Sequence, residues 1–194
     1  MKDKEALINQ AKSILEKNLR TGFTVPTDKL YPFQWNWDSG FVSIGFANYD
    51  IDAAISEINS LLKGQWENGM IPHIIFHSET EKTYFPNWDF WETTVNKGAA
   101  QTPKTSGISQ PPVLGFVLEK LLEKHPNNEK VVNFVKMAFP KVVNYHRFWY
   151  NYRDPNQEGL VFIFHPWESG RDNSPIWDDA LSLIDLENAD IPAY

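Results

Sequence analysis

Apolar residues recur at helical spacing in successive stretches of the chain, separated by long segments that follow neither a helix nor a strand period. Across residues 3–19, Ala6, Leu7, Ile8, Ala11, Ile14 and Leu15 share a face, with acids early and Lys17 and Arg20 late, as the helix macrodipole favours. The pattern predicts an amphipathic helix. From Asp50 to about Gly64, Ile51, Ala54, Ile55, Ile58, Leu61 and Leu62 repeat it, with Asn48 or Asp50 as the cap. Pro111 and Pro112 fit the first turn of a third helix, which Val113, Phe116, Val117, Leu118, Leu121 and Leu122 continue to about Lys124. A fourth is predicted from Asn128 to Ala138. Pro140 has no N–H to extend that ladder, so a new helix is expected from Pro140 through Val142, Tyr145 and Trp149 to Tyr152. Leu160 to His165 reads as a short extended stretch, and a last helix begins near Pro175 or Ile176. No segment alternates with period two over any length.

The segments 65–109 and 154–174 are long for connections inside one domain, and loops beyond about 12–15 residues are usually functional. Composition sharpens this. Aromatic residues make up 14% of the chain, and seven of its eight Trp, all but Trp66, cluster in the segments 31–49, 84–91, 148–152 and 162–177, whose Pro, Gly and Asn make them read as loops. At 42% hydrophobic and 22% charged the chain is an ordinary globular one, and no composition shift marks an internal boundary, so residues 1–194 are taken as one domain or part of one. A net charge of -7 opposes a phosphate-gathering field and argues against nucleic acid as a partner. The charged N-terminus lacks the apolar core of a signal peptide, and there is no membrane-length apolar run, so a soluble cytoplasmic chain with no membrane partner is expected. With no Cys, thiolate catalysis and thiolate zinc sites are excluded.

The densest chemistry lies in residues 165–175, HPWESGRDNSP, which set two carboxylates among aromatic and imidazole rings just ahead of a helix. Flanking apolar surface such as Trp167 and Trp177 can raise a carboxyl pKa enough for it to act as an acid near neutrality. The plainer alternative is that Asp172 caps the following helix. Residues 31–41, YPFQWNWDSGF, alternate Trp rings with amides and an acid, which suits a sugar's apolar C–H faces and hydroxyls but equally suits an aromatic packing cluster. His73 and His77 stand four apart, a metal-pair spacing on a helix, but Pro72 and the lack of a third ligand favour a hydrogen-bonded pocket histidine, and no metal is expected. Trp66, Trp88, Trp91 and Tyr84 are either ligand platforms or core.

Four segments, YPFQWNWDSGF, ENGMIPHIIF, SGISQPPV and RDPNQEGLVFIFHPWESGRDNSP, occur in this order, and in them the sequence resembles the mannosylglycerate hydrolase-like and glycoside hydrolase family 63 glycosidases over roughly residues 30–181. The resemblance implies an all-α fold, an (α/α)6 toroid of the six-hairpin glycosidase kind, of which this chain holds about the first half. It implies Asp172 as general acid, Trp37 and Asp38 lining the sugar pocket, and Gln110 supplying a hydrogen bond. His73, Trp167 and Gly170 join the substrate-binding set, with Glu168 as an orienting or pKa-tuning neighbour of the acid. The family's base is a glutamate far toward the C-terminus, outside residues 1–194, so no residue here takes that role.

The function so implied is inverting hydrolysis of an α-linked glycoside, without cofactor, on a small saccharide substrate. Two alternatives stand beside it: a degenerate, non-catalytic carbohydrate-binding protein, and a sugar epimerase or lyase on the same barrel. Half a ring of helices leaves faces uncovered, so residues 1–194 alone are expected to self-associate, and without the base glutamate they are expected to be inactive.

Overall fold

In the computed structural model, residues 3–27, 29–78 and 84–184 are described. Asp3 accepts the Glu5 N–H and starts α1 (Lys4–Asn18), the first helix anticipated from the apolar spacing. Only Leu15 of its apolar face packs on the core, while Leu7, Ile8 and Ile14 stay exposed. The core lies between two helix pairs, α2 (Asn36–Phe46) with α3 (Ile51–Leu62), and α5 (Leu114–Lys124) with α6 (Glu129–Tyr152); α4 (Trp88–Trp91) lies between the pairs in sequence. α2 packs on α3 and α5, and α3 packs on α6. Phe46, Ile58, Leu61, Leu114, Leu121, Val131, Ala138 and Tyr145 are buried there, and each large apolar side chain so buried contributes about 1.5–3 kcal/mol.

Helix α2 falls where Trp, Asn and Gly suggested a loop. Its buried positions are Asn36, Ser39, Gly40, Ser43 and Phe46, a helical spacing built from small and polar residues. A Cβ on Gly40 would stand 3.0 Å from Val113 and 3.1 Å from Val117, so its absence lets α5 approach closely. Residues 148–152, loop-like in composition but helical by apolar spacing, form the last turn of α6, which ends at Tyr152 as the spacing predicts.

Pro140 does not break α6. It lies on the exposed face, where the carbonyl it cannot serve meets water, while Val131, Phe134, Val135, Ala138, Val142, Tyr145, Phe148 and Trp149 make one continuous buried stripe on either side of it. Packing of both halves outweighs one missing hydrogen bond. The Pro111–Pro112 pair precedes α5 instead of opening it, because Val113 N–H turns back to the Pro111 carbonyl at 2.8 Å and the helix starts at Leu114.

A small antiparallel sheet joins the loops, with β1 (Gln34–Trp35) pairing β2 (Ile74–Phe76), and β2 pairing β3 (Lys104–Thr105). These strands are too short to show alternation in the sequence. Residues 160–165 are not a strand: they cross the end of α6, with the Phe162 N–H on the Arg153 carbonyl at 2.8 Å. After a 3-10 turn at Pro175–Trp177, α7 (Asp178–Leu181) begins close to the predicted position.

Candidate active site

The end of β1 feeds directly into the N-terminus of α2, and the orphan N–H groups of that first turn are taken by two other segments. Asn36 N–H donates to the His73 carbonyl at 3.0 Å, and Trp37 N–H to Gln110 Oε1 at 3.2 Å. Beneath them, Tyr145 Oη donates to the Gln110 carbonyl at 2.7 Å, accepts from Asn36 Nδ2 at 3.1 Å and lies 2.6 Å from Ser109 Oγ. Burial pushes the Tyr145 phenol up to about 12, so it stays neutral and can donate. One hydroxyl from α6 thereby ties α2 to the loop carrying Gln110.

Above this support opens a cleft of about 970 Å³, lined among others by Trp37, Asp38, His73, Gln110, Trp167, Gly170 and Asp172. Seven candidate residues from four separate segments therefore meet in one place. Tyr31, Trp35, Tyr84, Arg171 and Ser174 line it as well. Tyr84 also packs edge-on against Trp35 at 5.2 Å, so it is both core and wall. An anionic substrate would favour a cation near the motifs, where only Arg153 and Arg171 lie in the sequence; of these Arg171 lines the cleft, while Tyr31, Trp35 and Ser174 are lining residues that the sequence did not single out.

Gly170 has φ +66°, and a Cβ there would lie 2.7 Å from the Trp37 ring. Glycine is thus required twice at this point, for the left-handed backbone and for the packing of the loop 165–175 on the aromatic wall. Asp172 is exposed and accepts no hydrogen bond among the described residues; the turn that follows is capped by Ser174 without a side-chain bond. It does not serve as a helix cap. The backbone around it is nonetheless fixed, since the Arg171 carbonyl accepts from Ser174 N–H at 3.1 Å and from Trp177 Nε1 at 2.8 Å.

Burial raises the pKa of Asp38 above its ordinary value, its own backbone N–H opposes that, and the charge of Asp172 adds to the rise. His73 is held down to about 3 by burial, with a smaller push from His165, so the ring is neutral. Its Nδ1 lies 2.6 Å from Ser106 Oγ, which already accepts the Ile74 N–H at 3.1 Å. The fully buried Ser106 proton has Nδ1 as its acceptor, which assigns the N–H to Nε2 as a donor for a ligand. Trp167 stacks on this imidazole at 5.9 Å.

Glu168 is a correction to the substrate-binding set: it does not line the cleft. It is 1% exposed, and its carboxylate is occupied by Arg153 Nη1 at 3.0 Å, Arg153 Nη2 at 2.9 Å, Ser109 N–H at 3.0 Å and Phe164 N–H at 2.7 Å. His73 and His77 are not a helical pair, because they flank β2; His77 Nε2 lies 2.8 Å from Gln34 Oε1 and its ring stacks on Phe23. Trp66, which donates to Thr105 Oγ1 at 3.0 Å, packs on the main core, and Trp88 and Trp91 pack on the smaller cluster around Phe33 and Ile74. Among the described residues no helix is long and apolar enough to cross a membrane.

Over residues 31–192 the chain matches the mannosylglycerate hydrolase MGH1-like glycoside hydrolase domain. The chain belongs to that family. It is 45% identical over 186 residues to the mannosylglycerate hydrolase of Thermus thermophilus, covering 95% of this chain and 43% of that protein. The glucosylglycerate hydrolase of Mycolicibacterium hassiacum is 38% identical over 184 residues, covering 92% of this chain and 41% of that protein. The crystal structure of the glycoside hydrolase family 63 mannosylglycerate hydrolase from Thermus thermophilus, in complex with Tris and D-glycerate, superposes with a TM-score of 0.85 at 43% identity, over 97% of this chain and 43% of that one. The chain thus spans about two-fifths of the length of these relatives. Its helix pairs are those of the family's (α/α)6 toroid, with the small sheet as an addition that the apolar pattern did not reveal.

Proposed function

We infer that the protein hydrolyses a glycerate-bearing sugar, mannosylglycerate or glucosylglycerate, at an α-linkage and with inversion. The observation carrying this reading is the meeting in one aromatic-lined cleft of Asp172, unbonded and exposed, with Arg171 beside it and half-buried Asp38. Relatives named for these substrates, and a relative holding D-glycerate, support it. In this reading residues 1–194 are one part of a single catalytic domain.

Asp172 gives its proton to the glycosidic oxygen as the bond to the anomeric carbon breaks, so glycerate leaves with its hydroxyl restored. A carboxylate beyond residues 1–194 takes a proton from the water that attacks the opposite face of the sugar. Trp37 and Trp167 offer flat apolar surface to the ring, while Asp38, Gln110 and His73 Nε2 meet its hydroxyls. Arg171 meets the glycerate carboxylate, the geometry a guanidinium fork favours.

The test follows both substrates by proton NMR in the whole protein. Expected is release of glycerate with the β-hexose as the first-formed anomer. Release of the α-hexose first would overturn inversion, and turnover of neutral α-glucosides without turnover of either glycerate conjugate would overturn the substrate.

A further inference from the structure

We propose that Arg153 and Glu168 act as positioning residues, a buried pair that holds Asp172 and Gln110 in register across the cleft. The proposal rests on reading Asp172 as the acid. Asp172 has no hydrogen bond of its own among the described residues, so its location is whatever the loop 165–175 dictates. That loop's buried charged anchor is Glu168.

Both oxygens of Glu168 are used. Oε1 accepts Arg153 Nη2 at 2.9 Å and Ser109 N–H at 3.0 Å; Oε2 accepts Arg153 Nη1 at 3.0 Å and Phe164 N–H at 2.7 Å. Ser109 immediately precedes Gln110, whose Oε1 receives the Trp37 N–H. A single carboxylate thus sets the height of the Gln110 loop, the start of the turn Pro166–Ser169, and through that turn Gly170 against Trp37 and Asp172 beyond it.

Arg153 fixes the other end. Its N–H closes α6 on the Trp149 carbonyl at 2.9 Å, its own carbonyl takes the Phe162 N–H at 2.8 Å, and its guanidinium carbon lies 4.0 Å from the Phe164 ring centre. The pair therefore transmits the end of a long core helix to the acid loop. Stability alone gives little reason to keep such a pair, because replacing a buried ion pair by apolar residues of similar volume is often neutral or stabilising. Geometry does. Bidentate pairing fixes orientation as well as distance, and a displacement of about 1 Å at a catalytic group can reduce rate on the order of 10²-fold.

The experiment compares Asp172→Asn, Glu168→Gln and Arg153→Lys in the whole protein on mannosylglycerate, whose leaving group needs a proton, and on 2,4-dinitrophenyl α-mannoside, which needs almost none. Expected for Glu168→Gln and Arg153→Lys is a fall in kcat on mannosylglycerate of at least about 10-fold with KM changed much less, and a far smaller fall on the activated substrate. A merely structural role would lower both substrates alike. Equal losses on both substrates, a change confined to KM, or full activity in a folded Arg153→Lys protein overturns the proposal. Should Glu168→Gln fail to fold, Arg153→Lys, which keeps a cation beside Glu168, decides by the same ratio. If Asp172→Asn itself shows no leaving-group dependence, the acid reading has failed; if it does and the pair variants do not, only the positioning role has.

Discussion

Asp38 and Asp172 face one cleft, and the charge of Asp172 adds to the burial that raises the Asp38 carboxyl above its ordinary range. Removing that charge is expected to lower the Asp38 pKa. Carbon-13 NMR titration of Asp38 in Asp172→Asn should give a lower midpoint than in the wild type, with kcat on a glycerate conjugate reduced at least about 10²-fold. An unchanged Asp38 midpoint would falsify their electrostatic contact.

Gly170→Ala is expected to damage both fold and site. Its φ of +66° is strained for alanine, and the added Cβ would meet the Trp37 ring at 2.7 Å. Left-handed strain costs about 1–3 kcal/mol, so chemical denaturation should register a loss of that size alongside weaker sugar binding by calorimetry. A variant as stable as the wild type with full affinity rules out the packing of loop on wall.

Arg171 is the cationic side chain on the cleft, and it has no ion-pair partner among the described residues. Arg171→Met should lower kcat/KM for mannosylglycerate by at least about 10-fold, or ~1.4 kcal/mol, while turnover of the uncharged mannosylglycerol changes little. Raising ionic strength should depress the wild type more than the variant. Matching losses on both substrates would remove Arg171 from carboxylate recognition.

Glu57 sits buried under α2, accepting Thr24 Oγ1 at 2.7 Å and Gln34 Nε2 at 3.0 Å, with Ser39 also donating, yet burial outweighs these donors and raises its pKa from 4.5 to about 7. Folding therefore takes up a proton between these values. The stability this brings is complete below pH 4.5 and is lost as pH rises through about 7. His73 and His77, held down to about 3 and about 4, act in the opposite sense and destabilise the fold as pH falls below 6.5. Hence the informative quantity is the difference between Glu57→Gln and the wild type. It should shift in favour of the variant from pH 5 to pH 8, by up to ~3 kcal/mol, since a tenfold change in proton affinity is ~1.4 kcal/mol. A difference constant over that range would contradict the raised pKa.

Much of this was legible in the residues. Apolar spacing placed α1, α3, α5 and most of α6, because those faces are made of Leu, Ile, Val and Phe, and the motif residues 37, 38, 73, 110, 167, 170 and 172 gather in one cleft. Helix α2 escaped because its buried face is Asn36, Ser39, Gly40 and Ser43, selected for hydrogen bonds and close approach, so no hydrophobic period exists to be read. Pro140 misled because its effect depends on which face of α6 it occupies. Glu168 looked like a ligand contact from its place between Trp167 and Asp172, and only the partner Arg153, fifteen residues earlier, shows that it points inward.

The contact of Trp37 with Gly170 also has a consequence in time. At translation speeds of about 5–20 residues per second, the roughly 130 residues between them take on the order of 7–27 s to be made. Throughout that interval the Trp37 ring has no loop 165–175 to pack on, and Asn36 waits almost as long for Tyr145. Closing a contact across so long a loop also costs entropy, which grows with the logarithm of the loop's length. The cleft is therefore a late product of folding, and a nascent or partly unfolded chain presents its cleft-lining aromatics as bare sticky surface, the stretch on which chaperones and aggregation would compete.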